Sequence, residues 1–256
     1  MRLTRVVTRL VLLGLMLPGL TGCITETDRP ERKVDPVQLV QKQIELAIGY
    51  VVRADYQRAK ENLRKALEQD PRSGLAHSYM GYVFQREGET DLAEEHFQKA
   101  VRFEPTLSAA RNNYASFLFS EQRYLEAIEH LKVAADDRYY NRRADVFENL
   151  GRAYMRVNDP DNAESSFVRS IELNPRQPRS LLALADLRHD QQRYPESWSL
   201  YNRFTEVYQQ TARSLWLCVQ LAERFSNQDD KASCALSLKN IFPATEEYRQ
   251  YRARYE

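Results

Sequence analysis

Apolar and small residues return along this chain at a fixed interval of about 34 residues, the length of one two-helix repeat unit. Leu46, Tyr50, Ala59, Leu63, Ala66 and Pro71 are matched one interval later by Met80, Phe84, Ala93, Phe97, Ala100 and Pro105. Ala127, Leu131 and Ala134 continue the series by one more interval. A fourth copy holds Leu150, Gly151, Tyr154, Ala163, Phe167 and Pro175; its Ala163 falls two positions late relative to Ala127, which places a two-residue insertion near Asp136 to Arg143. Leu184, Ala185, Ser197, Tyr201 and Phe204 form a fifth copy, and Trp216, Leu221, Ala232, Leu236 and Pro243 a degenerate sixth. Each copy predicts two antiparallel helices. Small residues such as Gly81, Gly151, Ala93 and Ala163 sit where the helices cross closely, and Phe84, Tyr154, Phe97 and Phe167 fill the gaps between neighbours. The proline after each second helix ends it, because proline has no N–H and disfavours the helical state before it. Gly88 and Asn158 fall at the turn between helices, where left-handed backbone is tolerated, and Pro160 and Pro195 near the start of a second helix. One hairpin buries too little surface to stand alone, so the copies must stack.

The interval and its residue set resemble the tetratricopeptide repeat (TPR) family from about residue 38 to 243. The expected fold is all-α: a right-handed α-solenoid of about six hairpins over residues 37–243, with repeats near 40–73, 74–107, 108–143, 144–177, 178–211 and 212–243. Tyr248, Tyr251 and Tyr255 recur at helical spacing and predict a C-terminal capping helix over 244–256. The resemblance implies an inner wall lined by the first helix of each pair. On it fall Gln41, Ile44, Ile48, Val51 and Val52 from the first repeat, and Leu75, Ser78, Tyr82, Gln85 and Arg86 from the second. Further along, the implied wall turns polar and charged, with Asn112, Asp145, Glu148, Arg152 and Asp186. An open aliphatic strip is costly in water. Ile44, Ile48, Val51, Val52, Leu75 and Tyr82 are therefore the candidate groove for an apolar partner segment, a helix or an extended peptide. The alternative is that residues before Val37, or a membrane surface, cover the strip.

Composition narrows the class. Of 256 residues, 43% are hydrophobic and 29% charged, which is globular rather than disordered. Thirty-seven basic and 36 acidic side chains leave a net charge of +1, so there is no long-range field for nucleic acid. The first residues stand apart: Arg2, Arg5 and Arg9 precede a short apolar run from Leu10 to Leu17, then Leu20-Thr21-Gly22-Cys23. The run is too short to span a bilayer and reads as a secretory signal over 1–22. Its end is similar to a bacterial lipobox. That likeness implies acylation of Cys23 as the mature N-terminus, with 23–36 as a polar tether. Ile24, where an Asp would mark inner-membrane retention, points to the outer membrane, facing the periplasm.

Candidate chemistry is sparse. His77, His96, His130 and His189 have no metal-ligand spacing; His77 and His96 fall in one hairpin and read as partly exposed helix residues. No phosphate loop, His-Glu-x-x-His or Gly-x-Ser-x-Gly is present. The expectation is a non-enzyme with no catalytic residues, no metal, no small-molecule substrate, and no cofactor beyond the lipid on Cys23. The run Arg138 to Arg143 reads as a solvated inserted loop. Cys218 and Cys234 fall on the first and second helices of the last repeat, where they can face one another, and in an oxidising periplasm they are expected to form a disulfide.

A closer resemblance comes from the combination of lipobox, short tether and about six repeats. Local wording supports it: Ala-Arg-Asn-Asn-Tyr-Ala at 110–115, Leu-Gly-Arg-Ala-Tyr at 150–154 and Ala-Arg-Ser-Leu-Trp-Leu at 212–217. Together these resemble the PilF/PilW family of type IV pilus biogenesis lipoproteins. The resemblance implies a pilotin that brings secretin subunits to the outer membrane and promotes their multimerisation, with twitching motility depending on it. A scaffold for outer-membrane protein assembly or peptidoglycan synthesis, and a periplasmic chaperone, remain open alternatives.

Overall fold

The structure is a computed structural model that describes residues 35–256. The expected signal segment, the lipidation site Cys23 and nearly all of the tether lie outside the described residues. The described residues form six helical hairpins: α1 (Pro36–Val52) with α2 (Tyr56–Gln69), α3 (Gly74–Glu87) with α4 (Thr90–Phe103), α5 (Ser108–Ser120) with α6 (Tyr124–Asp136), α7 (Arg143–Arg156) with α8 (Pro160–Leu173), α9 (Pro178–Asp190) with α10 (Tyr194–Val207), and α11 (Ala212–Arg224) with α12 (Gln228–Ile241). A single helix, α13 (Glu246–Tyr255), follows. The architecture is the all-α TPR solenoid that the repeat interval implies. The first helix enters one residue earlier than expected, with Pro36 in its first turn, where a missing N–H costs nothing.

The turns carry the repeat as clearly as the core does. Ala54, Gly88, Gln122, Asn158, Gln192 and Ser226 all adopt left-handed backbone, one in each hairpin turn. In every case the next residue's N–H reaches back across the last turn of the first helix, as in Glu89 N–H to the Phe84 carbonyl at 2.9 Å and Arg193 N–H to the Arg188 carbonyl at 2.7 Å. This bond satisfies a carbonyl that the ended helix leaves open. The step from Gln122 to Asn158 is the one that carries two extra residues, which places the insertion between α6 and α7.

Within each of the first four hairpins a small residue on the first helix faces a large one at a constant offset on the second. Ala47 pairs with Leu63, Gly81 with Phe97, Ala115 with Leu131 and Gly151 with Phe167, all buried. Glycine goes with phenylalanine and alanine with leucine, so the sum of the two volumes is held roughly steady, as dense packing requires. A Cβ on Gly151 would lie 2.6 Å from the Phe167 ring, and one on Gly81 would lie 3.0 Å from Phe97.

Two expectations change here. His77 is buried, not partly exposed: its Nε2 donates to the Pro71 carbonyl at 3.2 Å, which leaves Nδ1 to accept from His96 Nδ1 at 3.0 Å. One repeat on, Arg111 takes the same place. Its Nε donates to the Pro105 carbonyl at 2.8 Å and its Nη1 to His130 Nδ1 at 2.9 Å. Both arrangements tie the proline turn between repeats to the second helix, and in each the accepting imidazole, His77 or His130, must be neutral. Burial holds His96 down to about 4, with the neighbouring His77 adding to the effect. Burial and then the Arg111 guanidinium hold His130 down to about 4. The unfolded chain therefore takes up protons, below the ordinary histidine pKa of about 6.5, that the folded chain refuses. Stability is full above that value and falls as the pH drops towards 4. The urea midpoint is expected to fall from pH 7 to pH 5, above the carboxylate range, and His130→Gln, which keeps an acceptor for Arg111, is expected to flatten that slope.

The run 138–143 is likewise not simply solvated. Tyr139 is 98% exposed, but Tyr140 packs on the core formed by α4 to α7, and Arg143 Nε donates to the Ala135 carbonyl at 2.6 Å. At the C-terminal end the structure joins Cys218 to Cys234 across the α11–α12 hairpin, and Tyr248, Tyr251 and Tyr255 of α13 pack over that hairpin's core. Tyr255 also donates to Glu223 Oε2 at 2.8 Å, so α13 covers the last repeat as a cap.

Candidate partner-binding groove

First helices touch first helices along the stack, α1 with α3, α3 with α5, α5 with α7, α7 with α9 and α9 with α11. The result is one continuous inner wall around a groove of about 1100 Å³. Its α1–α3 end carries the apolar side chains Ile48, Val51 and Val52 with Tyr79 and Tyr82, and Gln85 and Arg86 stand at its edge. Val52 stands 82% exposed, while Ile48 and Val51 are half-buried against the first-hairpin core.

Two of the expected groove residues lie elsewhere. Ile44 is only 2% exposed and sits in the core with Ala47, Leu63 and Met80, because its turn of α1 faces α2 and α3 rather than the open side. Leu75, in the first turn of α3, packs partly buried on the same core and does not line the groove. Ile48, Val51, Val52 and Tyr82 do line it.

Deeper in the groove the wall is amide-rich. Asn149 Nδ2 donates to Asn112 Oδ1 at 3.0 Å, and Asn113 Nδ2 donates to Ser78 Oγ at 3.1 Å, so side chains of neighbouring repeats fix each other's orientation. Tyr79, Asn113 and Asn149 share one position of the repeat and were missed by the sequence reading, although the repeat register, taken one position past Ser78 and Asn112, marks them. Arg142 was missed too, since it was assigned to the loop; it lines the groove and pairs with Asp145 at 2.8 Å.

The acidic groups of the wall are engaged. Glu148, 5% exposed, accepts from Gln177 Nε2 at 3.0 Å and lies 3.5 Å from Arg179. Asp145 also accepts from Gln177, at 2.9 Å. Farther along, Arg213 holds Asp186 at 3.0 Å, while burial pushes the Asp186 carboxyl up. Arg152 differs: it lies over the Phe119 ring at 4.7 Å and donates to Asn149 Oδ1 at 3.4 Å. Burial, and then the positive charge of Arg179, lower its hold on its proton.

Among the described residues no group of three His, Cys, Asp or Glu could hold a metal ion, and no helix is long and apolar enough to cross a membrane.

Six stacked hairpins around an open inner wall define a TPR interaction scaffold, and the tetratricopeptide repeat family model matches residues 53–213. The chain is 38% identical over 247 residues to the type IV pilus assembly protein PilF of Pseudomonas aeruginosa, covering 96% of this chain and 98% of that protein. It belongs to the PilF/PilW family of type IV pilus biogenesis TPR proteins. The solved structure of Pseudomonas aeruginosa PilF matches with a TM-score of 0.83 at 37% identity, over 86% of this chain and 99% of that one. The crystal structure of PilW, a type IV pilus biogenesis factor, shares the fold with a TM-score of 0.72 at 24% identity, over 84% and 99% of the two chains.

Proposed function

We propose that this chain is a lipid-anchored pilotin of the type IV pilus, holding secretin subunits at the outer membrane while they multimerise. The observation that carries the reading is the open aliphatic end of the groove, with Val52 82% exposed on a chain 38% identical to PilF along almost its whole length. An apolar partner segment seated on Ile48, Val51, Val52 and Tyr82 would remove that surface from water. Acyl chains on Cys23 would confine the scaffold to the membrane, and confinement raises the effective concentration of captured subunits, which favours their assembly. No covalent step is involved.

The test is the double variant Ile48→Asp with Val52→Asp. Both positions line the groove, so helical circular dichroism should stay near wild type. Ile48 is half-buried on the first-hairpin core and its aspartate should lower the unfolding midpoint, whereas Val52→Asp alone, at an 82% exposed position, should leave the midpoint unchanged and still weaken capture. Secretin capture from solubilised envelopes should fall at least about tenfold, the equivalent of about 1.4 kcal/mol, and heat-resistant secretin multimers should be lost from cells. Capture of an outer-membrane assembly factor or a cell-wall enzyme in place of the secretin would overturn the pilotin reading. Ile44 is unsuitable for this test, because an aspartate there would unfold the first hairpin.

A further inference from the structure

Charge along the inner wall is uneven in a way that the apolar end does not explain. Asp145 is taken by Arg142 and Gln177, and Glu148 by Gln177 and Arg179. No carboxylate lies within ion-pair distance of Arg152 among the described residues; its partners are the Asn149 amide oxygen and the Phe119 ring. Its orientation is nonetheless set. The Arg152 guanidinium donates to Asn149, Asn149 donates to Asn112, and the flat face rests on Phe119, so α5 and α7 together fix the fork. A guanidinium has five N–H donors and matches a carboxylate in two parallel bonds. Here one donor is engaged, at 3.4 Å. Arginine is also the cation best suited to partial burial on an aromatic face. The chain holds this positive group half-buried; the charge of Arg179 favours an anion there, the Glu148 carboxylate opposes it, and Arg156 adds to the first effect.

We propose that Arg152 is the acid-reading position of the groove: the partner segment carries an Asp or Glu side chain that docks on this guanidinium while its apolar residues lie on Ile48, Val51, Val52 and Tyr82. This rests on the groove being the docking surface, and it specifies the ligand as an apolar polypeptide segment with one acidic side chain a short distance along it. The apolar end supplies affinity that is indifferent to sequence detail. The arginine selects register, because a segment displaced along the groove carries its carboxylate away from the fork that Asn149 and Phe119 hold; Arg86, exposed at the α1–α3 end, is bonded instead to the Tyr56 hydroxyl at 3.1 Å.

The test uses the full-length chain in detergent and defined fluorescent peptides. Each peptide has an Ile/Leu/Val block, a Gly/Ser spacer of about two to eight residues and a terminal-amide segment carrying either Glu or Gln. At one or more spacer lengths the Glu peptide should bind about tenfold tighter than its Gln twin, the usual scale for a charge-assisted pair. Arg152→Gln, which keeps a donor for Asn149, should erase the difference while leaving the Gln peptides unchanged. Arg152→Lys, which keeps the charge but not the fork, should retain part of it. Equal binding of the Glu and Gln series at every spacer, including no binding of either, overturns the proposal, as does a preference that survives Arg152→Gln. Secretin capture is scored separately. A chain that shows the acid preference but captures no secretin would sink the pilotin reading and leave this one standing.

Discussion

Phe167→Ala is expected to destabilise the chain by about 3–5 kcal/mol, the usual cost of emptying a sealed aromatic site. Phe167 is 1% exposed, and its ring fills the space left by the missing side chain of Gly151. The fit can be tested more sharply by exchange. Gly151→Ala alone should cost about 1–3 kcal/mol, because its Cβ would fall 2.6 Å from the ring, and this overpacking outweighs the better helix propensity of alanine. Phe167→Leu alone should leave a small cavity. Together the two changes recreate the Ala115–Leu131 pair that the third hairpin already uses, so the double variant should be more stable than the sum of the singles by about 1–2 kcal/mol. Urea unfolding of the four species measures this. Strict additivity would show that Gly151 and Phe167 do not share one volume. Because contacts in a solenoid run between neighbours, partial unfolding of the fourth hairpin should appear as a broadened transition.

Opening the bond between Cys218 and Cys234 is expected to cost about 3 kcal/mol, the scale for a loop of this length. The last hairpin should feel the loss strongly. Helix α12 buries only Cys234, Ala235 and Leu238 and leaves Leu236 and Ile241 largely exposed, so less apolar burial holds it in place. The variant Cys218→Ala with Cys234→Ala should show increased proteolysis within α11 to α13, and dithiothreitol should bring the parent chain to the same stability. Two alkylatable thiols in the native, unreduced chain would contradict the bond and remove the prediction.

The hairpins were legible because solenoid contacts are local. Each second helix packs on the first helix of its own hairpin and on the first helix of the next, so the partners of Phe97 or Leu131 sit at fixed spacings in the sequence itself. The same regularity pointed to Cys218 with Cys234. The extra two residues between Ala127 and Ala163 were visible for the same reason. The outer limits of the groove were less legible. Ile44, Ile48 and Val52 are similar in chemistry and lie one turn apart on α1, yet Ile44 is sealed and Val52 is open. That difference depends on how far α1 is rotated against α2 and α3, which no pattern of apolar residues along one helix specifies.

Polar networks are where the sequence said least. It marked Arg138 to Arg143 as loop and His77 as partly exposed, but Arg142 turns into the groove and His77 closes a proline turn. Nor did it show that Asp145 and Glu148 would be consumed by Arg142, Gln177 and Arg179, leaving Arg152 without a carboxylate. The sequence alone determined the number of repeats, their phase and the places of the small and large core residues, since these follow from short-range packing of residues at fixed intervals. Only the tertiary structure decided which faces stay open and which charges find partners, since both depend on the angle at which successive hairpins stack and on side chains that meet across them.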